Sequence, residues 1–489
     1  MSIYKNKKFG FLIIQSLVFA SIAILVMGAL VSWGGSNLKL ARNSVYREQA
    51  IQIAEAGIDY YRWHLAHAPQ DYKDGTGQPG PYTHVFNDKD GNRIGTFVLT
   101  ITPPPTGSTV VKIRSTGNVD SDSNASRTIE SQLAIASFAK FAFVSSSDMR
   151  FGAGTEVFGP IHSNGGIRFD GLAHNIISSA LASYDDPDHD ESGTDPLEFA
   201  VHTHVSPTDP LPPTAMPARA DVFEAGRQLS VPAVDFTGLT SDLAQIKTDA
   251  IASGRYFGGS GALGYRILFN PINGTDTFSL YRVNTLRSAP SGCTNTQNQT
   301  GWGTWSIGTS GGSQTLIGTY NIPSNGLIFV EDNLWVEGTI SNTRVTVASG
   351  KFPDNPSTRT SITINEDLNY TNVDGTDVIA LIAQNNINAG MASADILDID
   401  AALIAQNGRI GRYYYNTSCK SGGTNWYVRN TINLYGMLAT YGRYGFAYTD
   451  NTGYTTRNII YDANLLYGPP PSFPLTSDQY TILSWEETE

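Results

Sequence analysis

From Phe11 to Val31 the chain carries no charge, and Gln15, Ser16 and Ser21 are the only clearly polar residues in that run. About 20 such residues, rising 1.5 Å each as a helix, are enough to cross a bilayer. Lys5, Lys7 and Lys8 stand directly before the run, and no basic cluster comes after it. That asymmetry predicts a single pass with the N-terminus in the cytoplasm and the remaining chain on the far side of the inner membrane. A cleaved signal peptide has a shorter apolar core and a small-residue cut site, for which Val26-Met27-Gly28-Ala29 is the nearest match. The next segment of the chain argues for retention. Between Asn37 and His67 there is no Pro and one Gly, Gly57. Ile51, Ala54, Ile58, Tyr61 and Leu65 recur at steps of three and four, which places them on one helix face, while Glu48, Gln52, Glu55, Asp59 and Arg62 occupy the others. The pattern predicts one long helix over 11–68, with Gly34-Gly35 as the place for a bend and Pro69 as its stop.

The lysine-rich leader, Gly10-Phe11, the apolar run and then REQAIQIAEAGIDYYRWHL resemble the N-terminus of type IV pilin-like proteins, specifically the PilX-like minor pilins. The stretch Arg47–Tyr61, with Ala54-Glu55-Ala56-Gly57, matches the AEAG segment of that family, and the resemblance covers roughly the first 65 residues. It implies that a prepilin peptidase cuts after Gly10, removing residues 1–10, and that Phe11 becomes the mature first residue with the apolar helix kept. It also implies that this helix packs against other pilin-like subunits. One position departs: major pilins carry Glu at the fifth mature position, and here it is Gln15. In the family that carboxylate meets the N-terminal ammonium of a neighbouring subunit in the apolar fibre core, where an unpaired charge is costly. Gln15 can hydrogen-bond there but cannot neutralise, which implies a place at the fibre tip more than in its shaft. Without the leader's three lysines the formal charge moves from −12 to −15.

At 489 residues the chain exceeds one ordinary domain. Charged residues are 16% and Gly is 48 of 489, a composition that suits β-rich exported proteins. The net charge of −12 supplies no basic face for phosphates, so no nucleic-acid partner is expected. The expected fold class is mainly β with a long N-terminal helix. Residues 69–138 read as a small antiparallel sheet, from the Asp90-Gly91 turn and the strand-like GTFVLTIT, VVKIRSTG and SRTIESQLAI. Further on, Ala380-Leu381-Ile382-Ala383-Gln384-Asn385 recurs as Ala402-Leu403-Ile404-Ala405-Gln406-Asn407 at an offset of 22, with a looser copy over Tyr435–Thr440. Such a repeat, with short β-branched strands and Gly/Asn turns, predicts a right-handed parallel β-helix-like solenoid over 139–175 and 320–450. Its competitor is a β-sandwich. Residues 176–319 read as a long surface insertion, Pro- and Asp-rich at first, with a short helix at 239–254 capped by Thr240 or Ser241 and a hairpin after it. Residues 451–489, with Pro469-Pro470-Pro471, read as an extended clasp in which Phe473, Tyr480 and Trp485 cover apolar surface.

The chemistry in reach is sparse. His202-x-His204 on a strand would put both rings on one face, and Asp186-x-Asp188-x-Asp190 has the oxygen spacing that opens a calcium loop but lacks the required Gly. These are weak metal candidates against a solvated acidic loop, and no cofactor is expected. Cys293 and Cys419 would lie outside the cytoplasm, where a bridge persists; two unpaired thiols are the alternative. Glu331-Asp332, Glu366-Asp367 and Asp398-x-Asp400 are the available carboxylate pairs, solvent exposure accounts for them, and no H-E-x-x-H or P-loop occurs, so no catalysis is expected. Tyr413-Tyr414-Tyr415, Tyr435, Tyr441, Tyr444, Tyr448 and Tyr454 form the candidate face for an unknown surface ligand. The expectation is a minor pilin-like subunit of a pilus or pseudopilus, displaying its head at or near the tip for assembly or adhesion. The competing class is a single-helix anchored surface protein that binds or processes polysaccharide.

Overall fold

The computed structural model describes residues 9–104, 108–135, 137–188, 197–236, 238–272, 275–475 and 479–488. The chain is mainly β, with one long helix, an antiparallel sheet and a large parallel sheet, and it divides into two compact units.

The first unit holds residues up to Pro104, Val110–Ala134 and the C-terminal residues. Helix α1, Phe9–His67, runs without interruption through Gly34-Gly35, so the expected bend does not break it. Four strands, β1 (Tyr82–Asn87), β2 (Arg93–Thr102), β3 (Val111–Val119) and β4 (Asp122–Ala134), pair antiparallel in chain order. Ala50, Ile53, Ala54, Ile58, Tyr61 and Leu65 of α1 are buried with Phe97, Leu99, Val111, Ile113, Ile129 and Leu133 of the strands. Ile51 is only half-buried, and Ala50 and Ile53 complete the face instead. The AEAG segment has a packing reason here. A Cβ on Gly57 would lie 2.2 Å from Ser115 Oγ, and one on Gly117 would lie 2.1 Å from the Ala50 carbonyl oxygen. Helix and sheet backbones therefore meet where both lack side chains. A fifth strand, Thr481–Thr488, adds to the free edge of β4. Residues 451–489 are thus not simply a clasp, and Trp485 on that strand is exposed.

The second unit, Ile135–Ser477 with Pro105–Thr109, is a parallel solenoid. One ladder stacks Arg255–Phe257, Leu327–Val330, Arg344–Ser349, Val378–Ala383, Ile396–Ala405, Val428–Thr440, Phe143–Ser145, Ile161–Ser163, Ile177–Ser179 and Arg227–Gln228 in that spatial order. The last long coil thus rests on the first: Leu438 pairs with Phe143. The repeat is one coil of the ladder, since Ala380, Leu381, Ile382 and Ala383 align with Ala402, Leu403, Ile404 and Ala405. Those four align in turn with Met437, Leu438, Ala439 and Thr440. Alternation explains the composition of the repeat. Ile379, Leu381 and Ala383 point into the main core, while Val378, Ala380 and Ile382 belong to a second apolar layer. Leu243, Ile246 and Ala250 of helix α2, Gly238–Ser253, cover that layer. Both faces of these strands are buried, so they read as continuous apolar runs.

Three expectations need correction. Residues 176–319 are not all surface insertion: Ile177–Ser179, Arg227–Gln228 and Arg255–Phe257 are rungs of the ladder, and Gly264–Ile272 pairs parallel with Leu334–Ile340 while forming a hairpin with Thr275–Val283. These rungs are two or three residues long or sit beside Pro and Asp, so their sequence pattern is weak. In the 451–489 stretch, Gly453–Tyr461 is also a rung, between Val428–Thr440 and Thr155–Phe158. Helix α2 begins at Gly238, which puts Thr240 and Ser241 inside it and not at its cap.

Candidate functional site

The N-terminal half of α1 is uncovered. The side chains described from Leu12 to Leu40 are exposed, including Leu12, Ile13, Leu17, Phe19, Leu25, Leu30 and Trp33, and Gln15 lies among them. This stretch is long and apolar enough to cross a membrane. Gly10 and Phe11 are in the helix by backbone; the rest of the leader, from residue 1 to residue 8, lies outside the described residues.

In the solenoid unit, the histidine-rich region resolves into separate environments. His162 is buried between Ser178 Oγ at 3.1 Å and Asn164 Oδ1 at 3.2 Å, and burial pushes its pKa down. His174 bonds both Glu156 and Glu224 at 2.7 Å. Burial works against its protonation, but the two carboxylates outweigh it and raise the pKa. Asp186, His202 and His204 come together, with ligand atoms within 4.8 Å of one another. His202 ends the short strand Val201–His202, and His204 lies just beyond it. The calcium-like triad does not assemble from the residues described. The Asp188 carboxylate is taken by Arg443, with Arg150 at 3.8 Å, and Asp190 lies outside the described residues.

The sulfurs of Cys293 and Cys419 are bonded to each other. Around them, Met391, Tyr413 and Tyr415 are buried and Trp302, Trp305, Trp426 and Tyr427 pack alongside, forming a core of their own. The expected tyrosine face is divided: Tyr413 and Tyr415 belong to this small core, and Tyr444 and Tyr454 to the main one. Tyr413, Tyr415, Tyr444 and Tyr454 are buried, Tyr414, Tyr435 and Tyr448 half-buried, and Tyr441 exposed. For Tyr413, Tyr415 and Tyr454 the reason is arginine. Arg412 stacks on Tyr415 and Tyr454, with the guanidinium carbon 4.8 and 5.8 Å from the ring centres, and Arg409 lies 4.7 Å over Tyr413.

Beside this cluster lies a cleft of about 700 Å³. Among the described residues, its charged lining is Arg150, Arg409, Arg443 and Arg457 against a single carboxylate, Asp188. Gln299 and Tyr448 line it as well. In a chain of net charge −12 this is a local excess of cations. Sequence reasoning missed it; the signal was arginine at 409, 443 and 457 in a stretch whose one carboxylate is Asp450.

The carboxylate pairs are held by structural bonds. Glu331 meets Lys247 and accepts from Tyr256 Oη at 2.6 Å, and Asp332 accepts from the Ser260 N–H at 2.9 Å and Oγ at 2.7 Å. Glu366 is raised by burial and by Glu337 and Asp367, and Asp367 accepts from the Asp398 N–H at 3.0 Å. Asp398 Oδ1 accepts from Asn433 at 2.7 Å, and Asn433 accepts from Asn458 at 2.8 Å, a ladder along successive coils.

Asp400 accepts from the Tyr370 N–H at 2.9 Å, but burial, with repulsion from Asp398, Asp462 and Asp367, pushes its pKa up to about 6. A folded value above the ordinary 3.8 means that the folded chain holds this proton more tightly. The stability it contributes is full below the unfolded value and is lost as pH rises through the folded one. Asp400→Asn is expected to gain on the order of 1 kcal/mol at pH 7, discounted for partial exposure. It should also flatten the stability profile between pH 4 and 6. Denaturant melts across that range check this, and an unchanged slope in the variant would assign the effect to other groups.

No protein-family model and no curated protein matches the chain. Among solved structures it is similar to the competence-associated pilin ComZ from Thermus thermophilus, at 13% identity over 91% of this chain and 98% of that one, with a TM-score of 0.31.

Proposed function

We propose that this chain is a minor pilin-like subunit of a type IV pilus or pseudopilus. In this reading its β-rich head is displayed at or near the tip, for assembly or adhesion. The carrying observation is the two-part helix. The second half of α1 is covered by its own sheet, while the first half is apolar on all sides and covered by none of the described residues of its own chain. A helix that is apolar all round needs lipid or other helices against it. Lipid serves before assembly and the helices of neighbouring subunits after it. The Lys5-Lys7-Lys8 leader ending at Gly10-Phe11 supplies the site where a prepilin peptidase would release the helix from its charged end. Gln15 in place of the carboxylate favours the tip. So does size: the solenoid unit alone, Ile135–Ser477, has an expected radius of gyration of ~20 Å, and units that wide would crowd on every shaft position. The arginine-lined cleft is the place where such a head would meet an anionic partner.

The test is the mature N-terminus of the protein purified from its host, read by mass spectrometry. Phe11, N-methylated, is the expected result. A start at Met1 or Ser2 would instead support the competing class, a singly anchored surface protein whose cleft takes an acidic polysaccharide. A start beyond Val31 would remove the helix and with it the proposal.

A further inference from the structure

Asp186 and His202 are each 2% exposed at the side chain, and Asp186 Oδ2 and His202 Nε2 face each other at 3.5 Å. Neither atom has a hydrogen-bond partner among the described residues. The other ring nitrogen, Nδ1, lies 3.1 Å from the Phe199 carbonyl oxygen. A carbonyl only accepts, so Nδ1 carries the hydrogen, and in the neutral ring Nε2 presents a lone pair. Two buried acceptors then point at one another, an arrangement that costs free energy for each unmet group. A cation between them removes both penalties at once.

The spacing suits a metal ion. Two ligands at zinc bond lengths of 2.0–2.1 Å in a tetrahedral site are about 3.4 Å apart. His204 contributes a third donor from the same side, its ring centre 5.1 Å from that of His202. The Phe199 carbonyl fixes the His202 tautomer, as an outer contact of a metal-bound histidine does. Charge is compatible as well. Arg168 Nη1 lies 3.6 Å from Asp186 Oδ2, but its Nε is held by Asp170 Oδ2 at 2.8 Å. That pairing matches the guanidinium charge and leaves the Asp186 carboxylate facing the histidines, while its own N–H donates to Glu198 Oε2 at 3.2 Å.

We propose that Asp186, His202 and His204 bind one divalent transition-metal ion of the zinc type, with a fourth position left for water. The ion would tie the chain after Ser183–Tyr184 to the chain at Val201–His202, a cross-link inside the solenoid unit that is independent of the disulfide.

The experiment uses the full chain in detergent, stripped with chelator and titrated with Zn²⁺ by calorimetry and with Co²⁺ by visible absorption. One equivalent is expected to bind, with the strong visible bands of four-coordinate Co²⁺, bleached by Zn²⁺. Asp186→Asn and His202→Gln should each weaken binding at least tenfold. Because both residues are buried, the less buried His204→Gln serves as the variant least harmful to folding, with the same tenfold loss expected. His174→Gln, whose ring is already bonded to Glu156 and Glu224, should leave binding unchanged. Absence of saturable binding at micromolar metal would overturn the proposal and leave a histidinium–carboxylate pair. Binding that survives all three ligand changes, or that disappears with His174→Gln, would overturn it too.

Discussion

Replacing both cysteines, Cys293→Ala with Cys419→Ala, is expected to destabilise the solenoid unit by about 4–5 kcal/mol. The bridge closes a loop with a sequence separation of 126 residues. A cross-link of that span removes much freedom from the unfolded chain, and the entropy removed grows with the logarithm of the loop. The folded side of the balance is also specific. Both cysteines are buried, and with Met391, Tyr413 and Tyr415 they form a small core separate from the main one. Trp302 Nε1 donates to the Tyr414 carbonyl at 2.9 Å, so the two bridged segments also share a direct hydrogen bond. For a unit of this size the loss corresponds to a fall in Tm of roughly 6 °C if unfolding is two-state. Thermal melts of wild type and double variant, under oxidising and reducing conditions, check it. A reduced wild type that melts with the variant is the expected control. A shift below about 1 kcal/mol would mean that the tryptophan packing alone holds these loops together and that the covalent link adds nothing.

Legibility differed between the two units for physical reasons. The helix was readable because a long 3.6-residue period survives in one dimension, and only the exact buried set, Ala50 and Ile53 in place of Ile51, needed the partner sheet to define it. The 22-residue repeat was readable because consecutive coils make the same contacts, which favours the same residues at Leu381 and Leu403. The N-terminal coils were harder. Their rungs are as short as Arg227–Gln228, and the contact that ties them to the rest, Leu438 on Phe143, joins residues far apart in the chain. The terminal strand Thr481–Thr488 is mostly exposed, so no burial alternation marked it as part of a sheet. At the site level, His202-x-His204 stood out, but its pairing with Asp186 depends on short strands that carry little pattern. The tyrosines misled because an amphipathic ring suits a surface or a core equally well. The deciding factor was the presence of Arg409 and Arg412 beside Tyr413 and Tyr415, which turned exposed-looking rings into walls around guanidiniums.

That environment supports the last prediction. Arg412 is fully buried and meets no carboxylate in the bonds it makes. Its Nη1 donates to the Gly390 carbonyl at 2.8 Å and Ser393 Oγ at 2.9 Å, and its Nη2 to the Met391 carbonyl at 3.0 Å and to the Trp426 carbonyl. These acceptors belong to two separate loops, so one planar fork holds them in register. Arg412→Met keeps the volume and removes the donors, leaving several buried oxygens unmet, and is expected to cost about 3–5 kcal/mol. Relief of the neighbouring charge offsets part of this. Arg429 also donates to the Met391 carbonyl, at 3.0 Å, and burial together with Arg412 pushes its pKa down to about 10. Arg412→Lys retains a charge without the fork and should lose nearly as much, because three rotating donors cannot serve the same acceptors in one plane. Denaturant unfolding of the three proteins measures this, and a methionine variant as stable as wild type would show the guanidinium to be a bystander. The Trp426 N–H donates to the Cys419 carbonyl at 2.8 Å, so the arginine and the disulfide act on one loop. Their effects should therefore fail to add, with a coupling above about 0.5 kcal/mol in a cycle that combines Arg412→Met with the cysteine pair.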